Sequence, residues 1–103
     1  MPHYTFAKLE IAEFDWVGDY QEVVPKIIEQ YGGKLLARTH KNTVQEGDCS
    51  APHVVLLVEF PDADAADSFY HSPEYAPYLE ARLAGSTAEI HSFAGEDSIG
   101  AKS

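Results

Sequence analysis

The chain has 103 residues, enough for one domain with a modest core, and 45% of them are apolar. It carries 17 acidic against 7 basic side chains, a formal net charge of −10. That sign argues against nucleic acid, which is held by basic footprints, and against anionic membrane surfaces. No apolar run approaches the roughly 20 residues of a membrane span. The opening Met1-Pro2-His3-Tyr4-Thr5-Phe6 lacks the basic-then-apolar pattern of a signal peptide, so a cytoplasmic location is expected. The single cysteine, Cys49, sits in a polar stretch and reads as a plain free thiol.

Residues 3–11 alternate, with Tyr4, Phe6, Lys8 and Glu10 on one side and Thr5, Ala7, Leu9 and Ile11 on the other, which predicts a strand. Asp15 to Asp19 carries turn chemistry. Tyr20, Val23, Val24, Ile27, Ile28 and Tyr31 then form the stripe of an amphipathic helix. Pro25 inside that stripe predicts a kink or two shorter segments meeting near Val24. Gly32-Gly33 ends the helix. Lys34 to Arg38 is a second strand, followed by a polar connection over 39–53 with a short strand expected around Thr43-Val44-Gln45. Val54 to Phe60 is the strongest strand, stopped by Pro61-Asp62.

A short helix is expected over Ala63–His71, and Ser72-Pro73-Glu74 reads as a helix restart. The next helix carries Tyr75, Tyr78, Leu79, Arg82 and Leu83, with Gly85 ending it, and Thr87 to Phe93 alternates as a fourth strand. The domain spans 1–94, and 95–103 reads as a polar tail. The order β-α-β-β-α-β, its second helical region in two pieces, defines an α+β protein on the ferredoxin-like plan: a four-stranded antiparallel sheet with helices on one face. Both faces of residues 54–60 are nonetheless apolar. The face the helices leave bare therefore needs a cover, and the simplest is the same face of a second copy, a homodimer.

Several strings, Tyr31-Gly32-Gly33-Lys34-Leu35-Leu36-Ala37-Arg38, Glu46-Gly47, Val58-Glu59-Phe60-Pro61, Phe69-Tyr70-His71-Ser72-Pro73-Glu74-Tyr75 and Arg82-Leu83, resemble the family called domain of unknown function 1330 in the dimeric α/β-barrel superfamily. The likeness runs from about residue 3 to 94. It implies a protomer whose sheet pairs with its twin into a barrel. The family has no assigned activity; its superfamily includes cofactor-independent monooxygenases, small-lactone isomerases, polyketide cyclases, haem-degrading enzymes and ligand-sensing domains. His40, His53 and the segment Asp15–Tyr20 depart from the family pattern.

Glu59 interrupts an otherwise apolar strand, and parity places it with Val55 and Leu57. A carboxylate there needs a partner, and Arg38, sharing a face with Lys34 and Leu36, is expected to supply it. Tyr4 and Phe6 from the first strand and His91 from the fourth complete an apolar cavity with three polar groups. Glu59 and His91 are the candidate proton-transfer residues; Arg38, Phe6, Tyr4, Leu36, Leu57 and Arg82 are the candidate substrate contacts. For Arg82, capping of carbonyls or a reach to Glu74 is expected, and the resemblance implies a place at a pocket rim. No metal spacing is present among the histidines, and no cofactor is expected. Three functions fit: an enzyme without a bound cofactor acting on a small aromatic or polyketide-like molecule, a non-catalytic metabolite-binding or sensing module, or a structural dimerisation domain.

Overall fold

The computed structural model describes residues 1–100; the end of the expected tail, 101–103, lies outside the described residues. The elements are β1 (His3–Ile11), α1 (Val17–Gln30), β2 (Lys34–Thr39), β3 (Val54–Phe60), α2 (Ala63–Tyr70), α3 (Ala76–Gly85) and β4 (Ser86–Ala94). The four strands form one antiparallel sheet in the order β2-β3-β1-β4. This is the ferredoxin-like α+β fold expected from the element order. No helix among the described residues is long and apolar enough to cross a membrane.

All three helices lie on one sheet face. Val24, Ile27 and Ile28 of α1, Val58 and Phe60 of β3, Ala66 and Phe69 of α2, and Tyr75 form the buried cluster. The apolar spacing of α1 explains its share, because positions three and four apart fall on one helix face. Gly32 ends α1 with φ +85°, a left-handed conformation that glycine adopts without a Cβ clash. Before α2, the Asp62 carboxylate accepts from the Ala65 amide at 2.8 Å. The Ser72 hydroxyl accepts from the Tyr75 amide at 3.1 Å, so the expected serine cap is present one turn before α3.

Three local expectations change. Helix α1 runs through Pro25 as one element of 14 residues rather than as two segments. Residues 43–45 form no strand; instead the side-chain amide of Asn42 ties the connection together by donating to the carbonyls of His40 and Pro52. Pro77, not Pro73, occupies the first turn of α3.

The far face of the sheet carries Tyr4, Phe6, Val55 and Leu57, all only half-buried, and Phe93, which is exposed. Its polar members are Lys8 and Glu89, paired at 3.1 Å, together with Glu59 and His91. No element of the described chain covers it.

Candidate functional site

A β-bulge decides where the expected site residues go. In β2, Leu35 pairs with Val58 and Ala37 with Leu57, so Leu36 is an extra residue that reverses the parity of everything after it. Lys34 consequently lies opposite Glu59 on the open face, whereas Arg38 lies opposite Leu56 on the helix face. The expected pairing of Arg38 with Glu59 does not form: the two side chains are on opposite faces of the sheet. Tyr4, Phe6, Leu57, Glu59 and His91 do share the open face, with Tyr4 opposite Glu59, and Phe6 between Leu57 and His91. Leu36 is half-exposed at the bulge and belongs to neither set.

On the helix face there is a partly open chamber of about 70 Å³. Its walls are mostly apolar, among them Val24, Leu56, Val58, Phe60 and Phe69, and its polar groups are Thr5, Tyr20, Arg38, Tyr70, Tyr75 and Arg82. Arg82 is 2% exposed. It neither sits at a rim nor reaches Glu74, whose carboxylate accepts instead from the Tyr31 hydroxyl at 2.8 Å. Its Nε donates to the Tyr75 hydroxyl at 3.4 Å, and Nη2 is buried with no acceptor among the described residues. Sealing a guanidinium from water without a counter-charge costs several kcal/mol.

The neighbouring hydroxyls have the same surplus. Those of Tyr20 and Tyr75 lie 2.5 Å apart. Two hydroxyls sharing one bond use one of their two hydrogens, so the other is left over whichever group donates. Burial first, then the adjacent Tyr75, pushes the Tyr20 phenol far above its ordinary range, so it stays protonated at neutral pH. For Arg82, burial opposes the charge, but the Tyr75 and Tyr20 oxygens outweigh it and the net shift is upward. The end of the chamber is thus a group of donors, one of them charged, that lacks an acceptor. A carboxylate, enolate or carbonyl oxygen satisfies that chemistry.

An outer chamber of about 200 Å³ adjoins this one; Leu9, Tyr20, Arg38 and Leu56 line both. Trp16, Gln21 and His40 line its mouth. Trp16 is held by its ring N–H, which donates to the Gly85 carbonyl at 3.3 Å. Arg38 Nη1 donates to the Gln21 carbonyl at 3.1 Å, which fixes the guanidinium across the seam between α1 and β2. A larger cleft, about 570 Å³, lies between α2 and the β1–β4 edge, but its charged walls are Asp64 and Asp67 and it holds no buried cation. Among the described residues, no three His, Cys, Asp or Glu side chains cluster as a metal site.

Sequence reasoning named Arg38 and Arg82 but missed Tyr20, Tyr75 and His40 as site residues. Tyr20 reads as one more member of the α1 stripe and Tyr75 as packing. The signal that could have found them is the pair of phenols among otherwise aliphatic core positions, since a buried hydroxyl needs a partner.

A four-stranded antiparallel sheet with its helices on one face defines the class of ferredoxin-like α+β domains. Within it, this chain belongs to the family described as "Domain of unknown function (DUF1330)", which matches residues 2–95. No curated protein matches it. Among solved structures, it is similar to a protein of unknown function from Rhodopseudomonas palustris, with TM-score 0.76 at 15% identity over 93% of this chain and 83% of the other. It is similar to a dimeric ferredoxin-like protein of unknown function from Jannaschia sp. CCS1, with TM-score 0.71 at 16% identity over 91% and 99%. It is also similar to SnoaB, a cofactor-independent oxygenase from Streptomyces nogalater, with TM-score 0.65 at 13% identity over 95% and 96%. At such identities the likeness is one of fold.

Proposed function

We propose that this protein binds a small carbonyl or acidic compound in the chambers between its helices and sheet, and acts on it without a cofactor. The observation that carries the reading is the sealed Arg82 guanidinium, whose Nη2 lacks an acceptor beside the Tyr20–Tyr75 hydroxyl pair. The chemistry such a site supports is proton abstraction beside a carbonyl. The electron pair left by the departing proton moves onto the carbonyl oxygen, which Arg82 and a tyrosine hydroxyl hold as an oxyanion. His40, among the described residues the one imidazole and the one ordinary base lining either chamber, would take the proton at the mouth. A monooxygenase-, isomerase- or cyclase-like reaction on a small aromatic or polyketide-like molecule is compatible with such a first step. The cofactor-independent oxygenase among the structural neighbours lends the reading support by fold analogy.

Glu59 and His91, on the opposite face, have no part in this site. They and the apolar residues around them belong to a second element of the proposal: the open face meets the same face of another copy and closes a dimeric barrel. The half-buried Phe6, Val55 and Leu57 support this, as does the dimeric neighbour. A cytoplasmic setting fits the exposed, unpaired Cys49.

The test is titration of small phenols, ketones and aromatic acids, followed by Trp16 fluorescence and by proton exchange at the carbon beside the carbonyl. Saturable binding with exchange that Arg82→Gln abolishes supports an enzyme. Binding without exchange points to a metabolite-binding module. Absence of binding throughout overturns the reading in favour of a structural dimerisation domain.

A further inference from the structure

The charge balance around the chambers says more about the ligand than that it accepts hydrogen bonds. The chain has 17 acidic residues and only two arginines, Arg38 and Arg82. Both arginines line the inner chamber, and among the described residues no acidic side chain lines either chamber. Carboxylates are thus plentiful, yet among the described residues none pairs with Arg82: Glu80, two positions before it, is exposed, and Glu74 is engaged by Tyr31. A buried arginine left without a counter-ion in so acidic a chain is a charge awaiting one from outside.

Volume then sets the shape of the ligand. A dry cavity of about 150 Å³ accepts benzene. The inner chamber, at about 70 Å³, is below that size and holds a headgroup; the outer, at about 200 Å³, is above it and holds a compact apolar body. Arg38 stands between them and is exposed, whereas the broad cleft beside α2 presents Asp64 and Asp67 and repels anions.

We infer that the ligand is a small organic carboxylate. Its carboxylate sits on Arg82 and the Tyr20–Tyr75 hydroxyl pair, its apolar body lies in the outer chamber beside Trp16, and it enters past Arg38. This deepens the proposed function and rests on it: that reading accepts neutral carbonyl compounds, and this one requires a charge.

The test compares benzoate with its uncharged isostere benzamide on the full chain at neutral pH and fixed ionic strength. Binding is followed by Trp16 fluorescence and by calorimetry, which does not depend on the tryptophan. The expected result is benzoate binding at least about tenfold tighter than benzamide, with Arg82→Gln lowering benzoate affinity by a larger factor than benzamide affinity and so closing that gap. Benzamide binding as tightly as benzoate to the wild type overturns the carboxylate inference and leaves the cavity reading standing. Saturable binding by neither probe, in either measurement, overturns both. If Arg82→Gln fails to fold, the wild-type ratio decides alone.

Discussion

Arg38 donates to the Gln21 carbonyl, and that carbonyl is free because the residue four positions further on is Pro25. In an uninterrupted helix the amide of residue 25 would occupy it, but proline has no N–H. The ring that costs α1 one backbone bond therefore supplies the acceptor that holds an arginine over the chamber it also lines. Restoring the amide in Pro25→Ala is expected to return the carbonyl to the helix. Thermal denaturation should show a more stable protein, by about 1 kcal/mol or more given the cost of proline in a helix interior. Benzoate binding should weaken several-fold as Arg38 loses its anchor. Unchanged affinity would show that Arg38 is held by something else.

The strands reveal why part of the site was legible and part was not. Alternation along β1, β3 and β4 is uninterrupted, so parity alone places Tyr4, Phe6, Leu57, Glu59 and His91 on one face, where the structure has them. In β2 the same reasoning carries Arg38 to the wrong face, because nothing in Lys-Leu-Leu-Ala-Arg-Thr flags a bulge; no glycine or proline marks Leu36. Helix α3 misleads in a second way. Its stripe of Tyr75, Tyr78, Leu79, Arg82 and Leu83 does not separate the last two, yet Leu83 is 62% exposed and Arg82 is sealed. Hydrophobic periodicity assumes that charge seeks water, and it fails where a site holds a charge out of water for a ligand.

Arg82→Met should stabilise the ligand-free protein. The side chain fills a similar volume and removes an unpaired buried cation, a change worth about 1–2 kcal/mol in favourable cases. Urea denaturation without ligand should show a higher midpoint with an unchanged slope, while benzoate binding is lost. A drop in stability would mean that Arg82 is a structural strut.

Glu59→Gln is expected to leave binding within experimental error of the wild type. The carboxylate lies across the sheet from both chambers, beside Lys34 and Tyr4. Calorimetry with benzoate checks this, and a loss comparable to that of the Arg82 variants would return the site to the open face.

Tyr20 links the site to alkaline stability. Its phenol is raised in the folded state by burial and by Tyr75, so folding favours the protonated form. That contribution is fully present below the unfolded tyrosine value of about 10, and it is lost as pH rises above it toward the folded value. Tyr20→Phe should cost about 1 kcal/mol at neutral pH through the lost hydrogen bond, and should flatten the decline at high pH. Urea midpoints between about pH 9 and 11 distinguish the two proteins. Lys8, also raised by the Glu89 carboxylate, titrates in the same region but equally in both, so the difference isolates Tyr20.

The open face makes the last prediction, and the chemistry of Leu57 makes it sharp. Leu57 is half-buried in one chain, central on the sheet, and flanked across the strands by Phe6 and Ala37. An aspartate there can reach water in a lone protomer, so Leu57→Asp should cost a single chain little. Between two sheets the same carboxylate meets its symmetry mate or the partner's apolar side chains, a desolvation penalty without compensation. Light scattering after size exclusion should therefore give about twice the mass of one chain for the wild type and about one chain mass for Leu57→Asp. The chambers under the helices lie on the other side of the sheet, so benzoate binding by the monomeric variant should persist. A wild type that is monomeric at micromolar concentration removes the barrel from the proposal. A monomeric variant that loses binding would mean that the sheet needs its twin to hold the helix-side site in shape.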